Sequence, residues 1–115
     1  MQYFLGFDSE IMATLALTSS IADQLIAEQG TDIVIPDIYT SIDNDAFSLS
    51  DLTSVVIPES ITSIGALAFW DNNLTSVAIP DSVTWIGAEV FYSNQISSLI
   101  VPDSVATISV GGIRK

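Results

Sequence analysis

From Ile33 onward, apolar residues return to the same places every 22 positions, and polar ones fill the spaces between. Ile33, Val55, Val77 and Leu99 form one column, and Ile35, Ile57, Ile79 and Val101 the next. Tyr39, Ile61, Val83 and Val105 follow, then Ile42, Ile64, Ile86 and Ile108. Ala46, Ala68 and Val90 stand just before Phe47, Phe69 and Phe91, and Leu52, Leu74 and Ile96 close the unit. A fixed period in the twenties is the mark of a solenoid, whose turns cannot bury an apolar face alone and stack to share a core. Val55-Val56-Ile57 and its equivalents alternate and are β-branched, so each predicts a short strand ending at Pro36, Pro58, Pro80 or Pro102. Strands in the same place on successive turns are parallel and about 5 Å apart. The rest of each unit, Ile64-Gly65 through Phe69, is too short for a long helix and predicts 3₁₀ or irregular backbone.

Residues 1–30 lie outside this period. Asp8 or Ser9 is a candidate helix cap, Ile11, Leu15, Ala22, Leu25 and Ile26 give a loosely helical apolar face, and Gly30 is a stop. The Thr18-Ser19-Ser20 cluster divides the segment into two shorter helices, the second capped by Ser20. The first turn of a solenoid has an open apolar end, and a polar-faced cap is expected there. The expected organisation is therefore a cap, 1–30, followed by four repeats, 31–52, 53–74, 75–96 and an incomplete 97–115.

Charge narrows the range of partners. Fourteen acidic residues face two basic ones, Arg114 and Lys115, for a net charge of −12. Nucleic-acid binding needs Lys and Arg to neutralise phosphates, and anionic membrane surfaces need them equally. Neither partner is expected. Cysteine and histidine are absent, which excludes disulfides, thiolate chemistry and soft-metal sites. No cofactor is expected. Ile11 to Ala22 is too short and too rich in Ser and Thr to span a bilayer, and the first residues lack a signal peptide's basic start. As written, the chain is expected to be soluble and without an export signal.

The stretch Leu52-Thr-Ser-Val55-Val-Ile57-Pro58-Glu-Ser-Ile61-Thr-Ser-Ile64-Gly65-Ala-Leu-Ala68-Phe69 opens as L-x-x-L-x-L and then carries strand-Pro, Ile-Gly and Ala-Phe marks. It resembles a leucine-rich repeat, and more narrowly the BspA-type repeat of bacterial and protist surface proteins. Leu74 to Phe91 repeats the pattern almost intact. The resemblance implies an α/β repeat solenoid: a right-handed coil with short parallel β-strands on the concave side, a 3₁₀ or irregular convex side and a helical N-terminal cap. It also implies adhesion or protein–protein recognition through the repeat surface, at the cell surface or in a secreted protein, and it carries no catalytic motif. Three departures stand out. Ser60, Ser82 and Ser104 take the place of the generic repeat's Asn or Cys ladder. Asp43 stands where later copies have Gly65 and Gly87. The last copy has Ser109 for Gly and Ile113 for Phe.

Candidate chemistry lies in the outward columns. Val34, Val56, Ala78 and Ile100 form an apolar stripe on the strands, and patches of that kind mark interaction sites. The plainer explanation is that β-branched residues suit a strand whichever way they face. Asp37, Glu59, Asp81 and Asp103 follow the prolines as an acidic row, a solvated edge that opposes aggregation. One carboxylate per turn is thin provision for calcium. Trp70 and Tyr92 share a column, and Trp85 is expected nearby on the same side; such aromatics can receive a sugar or a partner's side chain, or simply cover the core edge. Thr53-Ser54, Thr75-Ser76 and Ser97-Ser98 make a hydroxyl array of the sort an ice-binding face uses, although its columns mix Ser with Thr. With no His, Cys or internal Lys, only carboxylate pairs remain for acid–base work; Asp43 lies close to Asp45 and Asp71 is expected near Glu89 across a turn, but the repeats do not concentrate these groups in one pocket. A non-catalytic protein-binding module is the expected function. The alternative is a self-assembling solenoid that forms a homodimer through its last turn, where Val105, Ile108, Val110 and Ile113 are expected to present unpaired strand groups.

Overall fold

The computed structural model describes residues 15–105 together with the backbone of the strand Thr107–Ile108. The helix expected after Asp8 or Ser9 lies outside the described residues, as do the side chains of Ile108, Val110 and Ile113.

The chain enters through β1 (Ala16–Leu17) and then forms α1 (Ser19–Gln29). Thr18 caps α1: its hydroxyl accepts from the Ile21 N–H at 3.3 Å, so the cap lies two residues before the expected Ser20. Gly30, at φ 79°, ends it and donates its N–H to the Ile26 carbonyl at 2.8 Å. Ala22 and Leu25 are buried on the inner face, with Ile21 and Ile26 packed against the same core.

Beyond the helix, each turn carries two short strands. The first set is β2 (Asp32–Val34), β4 (Ser54–Val56), β6 (Ser76–Ala78) and β8 (Ser98–Ile100). The second is β3 (Ser41–Ile42), β5 (Ser63–Ile64), β7 (Trp85–Ile86) and β9 (Thr107–Ile108). All pairings are parallel, and Ile33 faces Val55, Ile42 faces Ile64, and Val77 faces Leu99, so register repeats the 22-residue step. The first column forms two separate ladders, β2-β4 and β6-β8, whereas the second is one sheet in the order β1-β3-β5-β7-β9.

The second strand column is a feature the sequence did not suggest; it ends at Ile64, and the expected irregular backbone runs from Gly65 through Phe69. Ser63 and Ile64 alternate outward and inward as a strand requires, but two residues are too few for the pattern to reveal it. The third side of the turn has no regular strand, yet it is also stitched. Asp45, Phe47 and Leu49 donate to the carbonyls of Ala66, Ala68 and Trp70 at 2.9, 2.7 and 2.9 Å. Leu67, Phe69 and Asp71 donate to Ala88, Val90 and Tyr92 at 3.0 Å each. Two columns of left-handed residues make this possible, Asp45, Leu67 and Glu89 in one and Leu49, Asp71 and Ser93 in the other, with Asp51 a further left-handed residue in the first turn.

The interior is formed by the expected columns. Phe47, Phe69 and Phe91 stack with ring centroids 5.4 and 5.7 Å apart and planes 5° and 10° from parallel. Packing loosens in the last turn, where Leu99, Val101 and Val105 are half-buried. Gly65 and Gly87 are set by the closeness of the turns: a Cβ on Gly65 would lie 2.5 Å from Asn44 Oδ1, and one on Gly87 would lie 2.5 Å from the Ala66 backbone nitrogen.

The polar ladder corrects an expectation. Asn72, 5% exposed, donates from Nδ2 to the carbonyls of Phe47 and Phe69 at 2.9 and 3.0 Å, while its Oδ1 accepts from Leu52 N and Ser50 N at 2.9 and 3.1 Å. Asn94 repeats the arrangement one turn later, donating to Phe69 O and Phe91 O and accepting from Leu74 N. The asparagine ladder is therefore present, after the phenylalanines. The serines form a second, weaker row: Ser82 and Ser104 donate to Ile61 O and Val83 O at 2.6 and 3.0 Å. Ser60 has no such partner.

Candidate functional site

A strand presents alternate residues to its two faces, and in the first column the inward one is the apolar core residue. What remains outside is a band whose composition the repeat fixes turn by turn. Its centre is Val34, Val56, Ala78 and Ile100, with Val34, Val56 and Ile100 exposed to 57%, 56% and 62%. Val34 stands opposite Val56 in the ladder, and Ala78 opposite Ile100. The four expected residues therefore form a continuous stripe, since β4 and β6 also lie side by side.

One border of the stripe is polar and knitted together. Thr53 Oγ1 donates to Asp32 Oδ1 at 2.7 Å and Ser54 Oγ to the same oxygen at 3.0 Å. These bonds hold the Asp32 carboxyl below its ordinary value of 3.8, the Thr53 hydroxyl most of all, with slight burial opposing. The hydroxyls thus serve the edge of the coil itself. On the other border lie the half-buried prolines, followed by Asp37, Glu59, Asp81 and Asp103, all exposed. Among the described residues, no group of three His, Cys, Asp or Glu side chains could hold a metal ion. No described helix is long and apolar enough to cross a membrane.

The three aromatic candidates do not form one site. Trp70 and Tyr92 lie on the third side of the turn, where their carbonyls accept from Leu49 and Asp71. Trp85 belongs to β7, opposite Ser63, and lines a groove on the second strand column together with Ser41. This separation corrects the expected proximity. Both Trp70 and Trp85 adjoin a core column in the sequence, but the strand at Trp85 turns its side chain outward on a different side of the coil. The groove itself also gathers Asp43 and Asn44, residues whose departure from the repeat was visible without its position being so.

No curated protein and no solved structure matches the chain. Residues 27–112 match the family model described as BspA type leucine rich repeat region (6 copies). With its 22-residue register, stacked phenylalanines and parallel strand columns accounting for that match, the chain belongs to the BspA-type leucine-rich repeat family.

Proposed function

We propose that this protein is a non-catalytic binding module that docks a protein partner on the stripe Val34, Val56, Ala78 and Ile100. Repeats of this family generally mediate protein–protein interaction or adhesion, typically without catalysis. The observation that carries the reading is the exposed apolar stripe itself, bordered on one side by four carboxylates. A partner that fits it has an apolar ridge flanked by Lys or Arg: the chain has no basic residue of its own before Arg114 to compensate the acidic row. Desolvated apolar contact would supply most of the affinity, and charge complementarity the orientation and association rate. In the same reading the coil is right-handed, as nearly all parallel strand crossovers are, with 1–30 as its cap and 31–115 as its repeats.

A random-peptide display selection tests this. Peptides enriched on the native protein should combine apolar residues with Lys or Arg, and should be lost on the Val56→Lys, Ile100→Lys variant. Both substitutions are at exposed positions and should change stability by no more than about 0.5 kcal/mol. Peptides without basic residues, or retained by the variant, would remove the stripe from consideration.

A further inference from the structure

Within the repeat, each outward column has its own habitual residue, and the exceptions are informative. On the second strand column, Ser41 and Ser63 are followed by Trp85; one place beyond the core isoleucines, Gly65 and Gly87 are preceded by Asp43; beside them, Ala66 and Ala88 are preceded by Asn44. These three exceptions converge. Ser41, Asp43, Asn44, Ser63, Gly65 and Trp85 line one open groove of about 390 Å³, within the range of small-ligand sites.

The groove has an aromatic wall at one end and polar groups at the other, two strand spacings away, or about 10 Å. Trp85 is 38% exposed there. Asn44 is held in place because its Oδ1 accepts from the Ala66 N–H at 2.8 Å, which leaves its Nδ2 hydrogens to donate elsewhere. Gly65 permits this, since any Cβ would displace the Asn44 side chain. Asn44 Nδ2, the Asp43 carboxylate and the Ser41 and Ser63 hydroxyls make no hydrogen bond to the rest of the described chain. Two hydroxyls that donate and accept, an amide donor and a carboxylate acceptor therefore face a shared space beside an indole.

We propose that this groove binds a neutral saccharide, one sugar ring lying against Trp85 and its hydroxyls reaching Ser63, Asn44 and Asp43. A pyranose has an apolar C–H face suited to the electron-rich face of an indole and an equatorial rim of hydroxyls that pair with mixed donors and acceptors. A cationic ligand would also find an indole and a carboxylate here, but most of the unpaired groups are neutral, and one aromatic does not make a cage. This site lies on a different strand column from the apolar stripe and does not depend on it.

The test is an NMR titration of the intact chain with glucose, galactose, mannose, N-acetylglucosamine and their 1,4-linked dimers, following the Trp85 indole N–H. The repeat supplies its own control variants. Trp85→Ser installs the residue of the two preceding turns, and Asp43→Gly with Asn44→Ala installs those of the two later turns. At least one saccharide should shift the Trp85 signal with a dissociation constant of about 1–10 mM. Asp43→Gly with Asn44→Ala should weaken that binding by about tenfold or more. In Trp85→Ser, whose indole is gone, the Gly65 amide should no longer respond. Overturning results would be no shift with any of these sugars at about 50 mM, or binding undiminished in either variant. A response to Nα-acetyl-lysinamide and to none of the sugars would likewise reject the saccharide and make the groove a cation site.

Discussion

The two strand columns are built from the same 22-residue unit and differ in the residue type at their downstream ends. In the second, Gly65 and Gly87 come directly after the inward isoleucines, and each donates its N–H to the isoleucine carbonyl of the turn before at 2.8 Å. The ladder runs unbroken from β1 to β9. In the first, a proline closes every strand one residue past the inward pair, and proline has no N–H to give. There the bonding resolves into β2-β4 and β6-β8, with no ladder between β4 and β6. The glycine column thus holds the turns at their spacing, and the proline column, freed of part of that duty, carries the outward apolar stripe. Continuity and surface chemistry are divided between two sides of one coil.

The interior belongs to both columns, and damage to it should erase the distinction. Phe69 is fully buried between Phe47 and Phe91, so Phe69→Ala should cost about 3–5 kcal/mol and lower urea and thermal midpoints on every probe together. Loss of amide protection in the first column alone would mean that the columns do not share a core. Asn72→Ala comes next. It strands the Leu52 and Ser50 amides and the Phe47 carbonyl, a penalty of about 2–4 kcal/mol for groups this buried. Asn94→Ala should cost visibly less, because Asn94 is only half-buried and satisfies one backbone amide where Asn72 satisfies two. Equal costs would show that the network is not the source of the effect.

Much of this was legible because a repeat states its pattern several times. The inward columns, the Phe stack, the strand before each proline and the exposure of Val34, Val56, Ala78 and Ile100 all derive from a period that any one turn would leave ambiguous. What escaped was local. Ser63–Ile64 is a strand of two residues, and two residues carry no periodicity; its hydrogen bonds come from neighbouring turns, not from its own sequence. Asn72 and Asn94 do recur at 22, but asparagine in a turn reads as a solvated loop residue, and Ser50 in the first copy conceals the column. The groove was hidden for the opposite reason. Asp43, Asn44 and Trp85 are exceptions to the period, and only the second strand column shows that exceptions in turns one and three face the same space.

Gly87→Ala tests the spine directly. The new methyl would meet Ala66 backbone atoms at 2.5 and 2.8 Å, with no flexible side chain to yield, so the turns must move apart locally. A loss of about 1–3 kcal/mol is expected, with faster hydrogen exchange at Thr84 and Gly87. The matched change in the other column, Ala78→Val, adds methyls to an exposed position and should leave stability within about 0.5 kcal/mol. If the two substitutions cost the same, the glycines do not set the spacing.

The smallest effect belongs to the edge of the proline column. β2 and β4 are tied across their outer face by Thr53 and Ser54, both donating to Asp32 Oδ1. Those bonds favour the carboxylate, so the folded chain holds Asp32 below 3.8, its value when unfolded. A depressed folded value means the unfolded chain takes up the proton first as pH falls. The stabilisation is therefore complete above 3.8 and disappears as pH drops through the lower folded value. Asp32→Asn keeps an acceptor oxygen and removes only the charge. The native protein should melt slightly higher than this variant near neutral pH, and the gap should close as pH falls below 3.8 and through the lower folded value. Because the carboxylate is exposed, added salt should narrow the gap as well. Melting curves that stay parallel from neutral to acid pH would mean that Asp32 contributes its hydrogen-bond geometry alone, and that β2 and β4 are held by their backbone ladder.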